Sequence, residues 1–91
     1  MYNKTFLPGD LVRIKQDAWI TDRTSWTLRL TQKSLNGIYL GKLEQKNESY
    51  AECCFIHPFP VRIAIHGDKE IIVDLSKINY YTKRRNYEKV N

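Results

Sequence analysis

The side chains best equipped for chemistry in this chain are Cys53, Cys54, His57 and His66, and their spacing argues against a metal site. Structural zinc is held by Cys-x-x-Cys knuckles, or by one knuckle and a closely spaced His pair. Here the cysteines are adjacent. On a strand, neighbouring side chains point to opposite faces, so Cys53 and Cys54 cannot converge on one ion. The expectation is two reduced strand thiols, one inward and one outward, with the histidines at turns. Ser, His and Asp all occur, but in no nucleophile elbow, phosphate loop or metal-binding pair. A chain with one small core has little volume left for a water-excluding pocket. No enzyme activity, metal or cofactor is expected.

Charge says more. The formal net charge is +5. Residues 1–76 are close to balanced, with ten Lys/Arg against nine Asp/Glu. Residues 77–91 hold Lys77, Lys83, Arg84, Arg85 and Lys89 against Glu88 alone. A balanced body with one cationic end favours attachment to something acidic over a catalytic cleft. Tyr80 and Tyr81 precede the cluster and Tyr87 lies inside it. Arg and Lys neutralise phosphates, and a tyrosine ring stacks on an unpaired base. That combination suits RNA with exposed bases better than sequence-specific reading of a DNA duplex. A solvated, frayed end is the plain alternative.

A second basic stretch runs from Trp19 to Lys33. It holds Trp19, Arg23, Trp26, Arg29 and Lys33, and from Arg23 onward no acid. Trp26, Leu28 and Leu30 alternate as one inward face, which turns Arg29 outward beside Thr27 and Thr31. Arg23, Arg29 and Lys33 would then extend the basic surface of the tail. Trp26 is read as core, and Trp19 is open between core and surface.

These groups need a scaffold. Ninety-one residues make one core, and the 42% apolar share is enough for it. Ile, Val, Tyr, Phe, Trp and Thr outweigh Ala, a bias toward strands. No run is long enough to cross a bilayer as a helix, and the opening residues lack the apolar stretch of a secretory signal. Adjacent, reduced cysteines fit a cytoplasmic setting.

Alternation then places the elements. Leu11–Lys15 reads as a first strand after the turn Pro8-Gly9-Asp10, and Trp26–Thr31 as a second. Asn36-Gly37 opens a third over Ile38–Leu43, with Gly41 marking a bulge. Tyr50–Ile56 and Val61–Ile65 read as strands parted by the stiff corner His57-Pro58-Phe59-Pro60. Gly67-Asp68 reads as a two-residue reversal into Ile71–Leu75. Ser76–Asn79 would form one helical turn, and Tyr80-Tyr81 a last short strand. Five or six short strands, with no helix longer than a turn, make an all-β, partly open barrel over residues 1–82, with a basic tail over 83–91. Closure would protect the sheet edges.

Gly9-Asp10-Leu11-Val12-Arg13-Ile14, a long excursion and then Gly37-Ile38-Tyr39-Leu40-Gly41 resemble the opening of Src-homology-3-like small barrels, including KOW-type modules. Ile72-Val73-Asp74-Leu75-Ser76-Lys77-Ile78 is similar to their closing strand, helical turn and final strand. The excursion over residues 16–35 is longer than a KOW module would have. The resemblance implies a ligand groove lined by that excursion, where an exposed Trp19 would be an anchor.

The leading expectation is a non-enzymatic module that binds nucleic acid, RNA before DNA. Lys83, Arg84, Arg85, Lys89, Arg23, Arg29 and Lys33 would hold phosphate, and Tyr81 or Tyr87 would stack. The second is a protein-interaction module using Trp19 and Trp26, such as a small phage-type regulator or inhibitor docking on a larger protein. The 12% aromatic content and the available strand edges motivate it.

Overall fold

Apolar residues at alternating positions carry nearly half of the described residues into strands. The structure, a computed structural model, describes residues 5–46, 50–66 and 69–81. They form β1 (Leu11–Ile14), β2 (Trp19–Asp22), β3 (Leu28–Leu30), β4 (Leu35–Lys42), α1 (Tyr50–Ile56), β5 (Pro60–Ile65), β6 (Lys69–Asp74), a 3₁₀ turn (Leu75–Lys77) and β7 (Ile78–Tyr80). The seven strands make one antiparallel sheet, ordered β3-β2-β6-β5-β4-β1-β7. Among the described residues no ladder joins its two ends, so the sheet is unclosed.

It nonetheless curls around one core. Val12 and Ile14 of β1, Ile20 of β2, Tyr39 of β4, Val61 and Ile63 of β5, Ile71 and Val73 of β6 and Ile78 of β7 belong to a single buried cluster. A flat sheet would hold β1 four strand spacings, about 19 Å, from β2. Only Lys15–Ala18 connect the two, and Thr31 clasps that connection. Its hydroxyl donates to the Lys15 carbonyl and accepts from the Ala18 amide, both at 2.9 Å. Phe6 closes the opposite end, with its ring 5.6 Å from Tyr39 and 4.7 Å from Tyr80.

Two glycines set the course of β4. Gly41, at φ 134°, sits at the register shift in the β4–β5 ladder, a backbone shape that only glycine adopts without strain. At Gly37 a Cβ would lie 2.5 Å from Ile63 Cγ2 and 2.8 Å from the Ala64 carbonyl, so no side chain fits.

Several expectations are corrected here. The described residues form seven strands, not five or six. The excursion contributes two of them, because Trp19–Asp22 pairs with β6 as well as with β3. Tyr50–Ile56 is a two-turn helix, not a strand. Tyr50, Cys53 and Cys54, with His57 just past its end, fall at i, i+3, i+4 and i+7, the spacing of one helical face. That face is the side turned to the protein: Cys53 and His57 are buried, and Tyr50 and Cys54 half-buried. Both cysteines are free. Trp26, Leu28 and Leu30 do not face inward. Each stays more than 40% exposed, because β3 is an edge strand with no second neighbour among the described residues and Trp26 leaves the alternation at φ 56°. The ladder pairs Ile65 with Lys69, so three residues separate the β5 and β6 partners rather than two; Gly67 and Asp68 themselves lie outside the described residues.

Candidate functional site

The outer face of the sheet is divided in two. On one half the row Thr21–Ile72–Arg62 lies at α1. Ile72 packs with Leu43, Cys53 and Tyr50. His57, 1% exposed, places Nε2 2.9 Å from the Thr21 hydroxyl. Burial pushes its imidazole below the ordinary value, and the nearby Asp74 carboxylate only partly offsets this. Asp74 is itself held below the usual carboxylate range, its hydrogen bonds outweighing the effect of its burial. It accepts from the Phe59 amide at 2.7 Å and from the Ser76 amide and hydroxyl. Hydroxyl, imidazole and carboxylate thus succeed one another, but their partners are structural. They fasten the His57–Pro60 corner to β2 and β6. Burial and the neighbouring Cys54 push the Cys53 thiol up, away from the thiolate a nucleophile needs. Among the described residues no group of three His, Cys, Asp or Glu is placed to hold a metal ion.

The other half is bare. Leu11 of β1, Ile38 of β4 and Ala64 of β5 are cross-strand partners in one row, and Leu11 and Ile38 are exposed. Beside them Arg13 donates from Nε to Asn36 Oδ1 at 3.3 Å, and its guanidinium lies 4.9 Å from the Tyr81 ring centroid. Cation–π contact steadies a ring that is still partly open to solvent.

This shelf continues into an open groove of about 1000 Å³. Arg29, Lys33, Lys69 and His66 supply its basic groups, Tyr81 and Asn36 its aromatic and amide, and Leu11, Leu35, Ile38 and Ile65 its apolar floor. No described carboxylate lines it. Gly37 belongs to the floor, where the backbone comes up against β5. Lys69 reaches Asp22 Oδ2 at 3.4 Å; among the described residues Arg29 and Lys33 make no ion pair.

Of the expected site residues, the fold brings Arg29, Lys33 and Tyr81 together. It takes Arg23 elsewhere. Arg23 Nη1 is 2.6 Å from Glu70 Oε2, and the guanidinium sits over the Trp26 ring at 5.7 Å. Trp19 and Trp26 are 51% and 42% exposed, so the reading of Trp26 as core is overturned. Lys83, Arg84, Arg85, Tyr87 and Lys89 lie outside the described residues. Lys69, His66, Asn36 and Arg13 were not among the expected site residues. Only the β5–β6 and β1–β4 registers reveal their position, and no local pattern signals it.

No protein-family model, curated protein or solved structure matches this chain. Among the described residues no helix is long and apolar enough to cross a membrane.

Proposed function

We propose that the chain is a non-enzymatic, SH3-like cytoplasmic module that binds single-stranded RNA along the groove and the bare shelf. One observation carries this reading: Arg29, Lys33 and an aromatic ring line one groove, and neither cation has an ion pair among the described residues. Arg29 and Lys33 take phosphates, Lys69 adds its charge from its place beside Asp22, and Tyr81, backed by Arg13, offers a face for one base. Lys83, Arg84, Arg85 and Lys89 follow Tyr81 in sequence and add to the electrostatic attraction, with Tyr87 a further stacking ring. The curled sheet, the long excursion and the closing strand, 3₁₀ turn and strand support the SH3-like assignment.

A salt titration with a fluorescein-labelled single-stranded RNA tests the reading. Log affinity should fall linearly with log salt, and Arg29→Ala with Lys33→Ala should flatten the slope by about 1.4, roughly 0.7 for each phosphate left without its cation. Absent binding, or a slope the double variant leaves untouched, would overturn it.

A further inference from the structure

β3 ends the sheet, and its two faces are unlike. Leu28 and Leu30 lie on one, and are cross-strand partners of Thr21 and Trp19. Trp19, Leu28 and Leu30 are all exposed, and Trp26 adjoins them. Between this strip and α1 lies a pocket of about 130 Å³, bounded by Trp26, Leu28, Ile56, Cys53, Thr21 and Glu52. Arg29 alone occupies the other face of the strand and borders the groove. The edge β7 differs: its exposed side chain is Asn79, between buried Ile78 and half-buried Tyr80. An apolar edge strand left bare is a template for pairing and for aggregation.

The ladder shows which backbone groups face outward. The Asp22 amide donates to the Thr27 carbonyl at 2.9 Å, and the Thr31 amide to the Ala18 carbonyl at 2.8 Å. Antiparallel bonding pairs recur at every second residue, so Arg29 turns its amide and carbonyl toward Ile20. Leu28 and Leu30 therefore turn theirs to the open side.

We propose that β3 receives an extended segment of another protein as an added antiparallel strand, with apolar residues toward Trp19, Leu28, Leu30 and Trp26 and an acidic residue opposite Arg29. The position opposite Arg29 is a non-hydrogen-bonded pair, where side chains approach most closely and opposite charges pair best. Charge also selects against other occupants. A second copy, in the register that pairs all three residues, sets Arg29 against Arg29, and like charges directly opposite are destabilising. The chain's own Lys83-Arg84-Arg85 segment meets the same repulsion. On the apolar side Glu52 at the pocket rim disfavours an acid, so the acidic residue belongs on the groove side. This is strand addition, in which main-chain bonds give affinity and alternate side chains give specificity.

The probe is a fluorescein-labelled peptide alternating valine and glutamate, compared with its valine and lysine counterpart. The glutamate peptide should bind and slow hydrogen exchange at the Leu28 and Leu30 amides. Arg29→Glu should weaken it by about threefold or more and favour the lysine peptide instead, the scale of one cross-strand charge pair. Trp26→Ala and Trp19→Ala lie outside the RNA groove, so they should weaken the peptide and leave RNA affinity unchanged. Leu30→Pro, which removes one outward amide at an exposed position, should abolish peptide binding in a protein whose circular dichroism is unaltered. Equal binding of both peptides, no binding of either, a charge preference that Arg29→Glu fails to reverse, or a wild-type dimer by sedimentation would each overturn the proposal.

Discussion

Beneath α1 the outer face of the sheet is covered, and most of its polar groups answer one another: Thr21 with His57, Asp74 with Phe59 and Ser76, with Arg62 Nε buried but without a hydrogen-bond partner. Across β1, the first half of β4 and the far half of β5 the same face is open, and its polar and aromatic groups are held in place but not covered. Arg13 holds Asn36 and Tyr81 in place, and Leu11 and Ile38 of the row beside them stay exposed. The two halves share a backbone pattern. What separates them is one seven-residue helix. Where the helix lies, residues are buried against it; where it stops, similar residues stay exposed.

That contrast is most easily broken with a pair of isoleucines. Ile72→Ala, under α1, should cost about 3 kcal/mol, since it removes a fully buried side chain and leaves a cavity. Ile38→Ala, on the bare half, should cost less than about 1 kcal/mol, the span of strand propensity at a half-solvated site. Urea unfolding of both variants checks this, and equal losses would erase the distinction.

Acid provides a sharper probe of the covered half alone. His57 in the folded protein titrates below its ordinary value of 6.5. The unfolded chain therefore binds the proton first as pH falls, and stability that is complete above 6.5 declines below it. Asp74 and Asp22, both held below 3.8, add losses only in stronger acid. Denaturation midpoints should fall between about pH 7 and about pH 5, and His57→Gln should flatten that interval. An unchanged slope in the variant would assign the acid sensitivity to another group.

The smallest effect on folding belongs to the bare half. Tyr81→Ala should move stability by no more than about 0.5 kcal/mol, as exposed substitutions do. It should nevertheless weaken RNA about tenfold, the loss expected from one base–aromatic stack. A large stability loss with unchanged RNA affinity would reverse the roles given to the two halves.

Much of the scaffold is legible in the amino-acid order. Leu11–Ile14, Pro60–Ile65 and Lys69–Asp74 show the apolar runs and alternation of strands, and Asp74-Leu75-Ser76 shows a capped turn, its carboxylate accepting from the Ser76 amide. Tyr50–Ile56 misleads because Tyr, Phe, Cys and Ile are frequent strand residues. Its helical signature lies in which positions are apolar, not in which residues fill them. The facing of β3 misleads for another reason. Alternation says that Leu28 and Leu30 share a side but not which side has a partner, and the partner is set by β2 pairing with β6 some fifty residues away. Arg29, Lys33 and Tyr81 are visible as cations and an aromatic; their meeting is not. Arg23 looks equivalent to Arg29 until Glu70, forty-seven residues later, claims it.

The strand order has a consequence for how the chain is made. β5 and β6 are among the later segments to be synthesised, yet they form the middle of the sheet, between β2 and β4. Until about residue 74 has left the ribosome, β2 and β4 have no central hairpin to join them, and Val12, Ile14 and Ile20 lack most of their cover. The nascent protein must hold its first half open to receive its second. A stalled or prematurely ended copy would expose bare strand edges to whatever lay nearby.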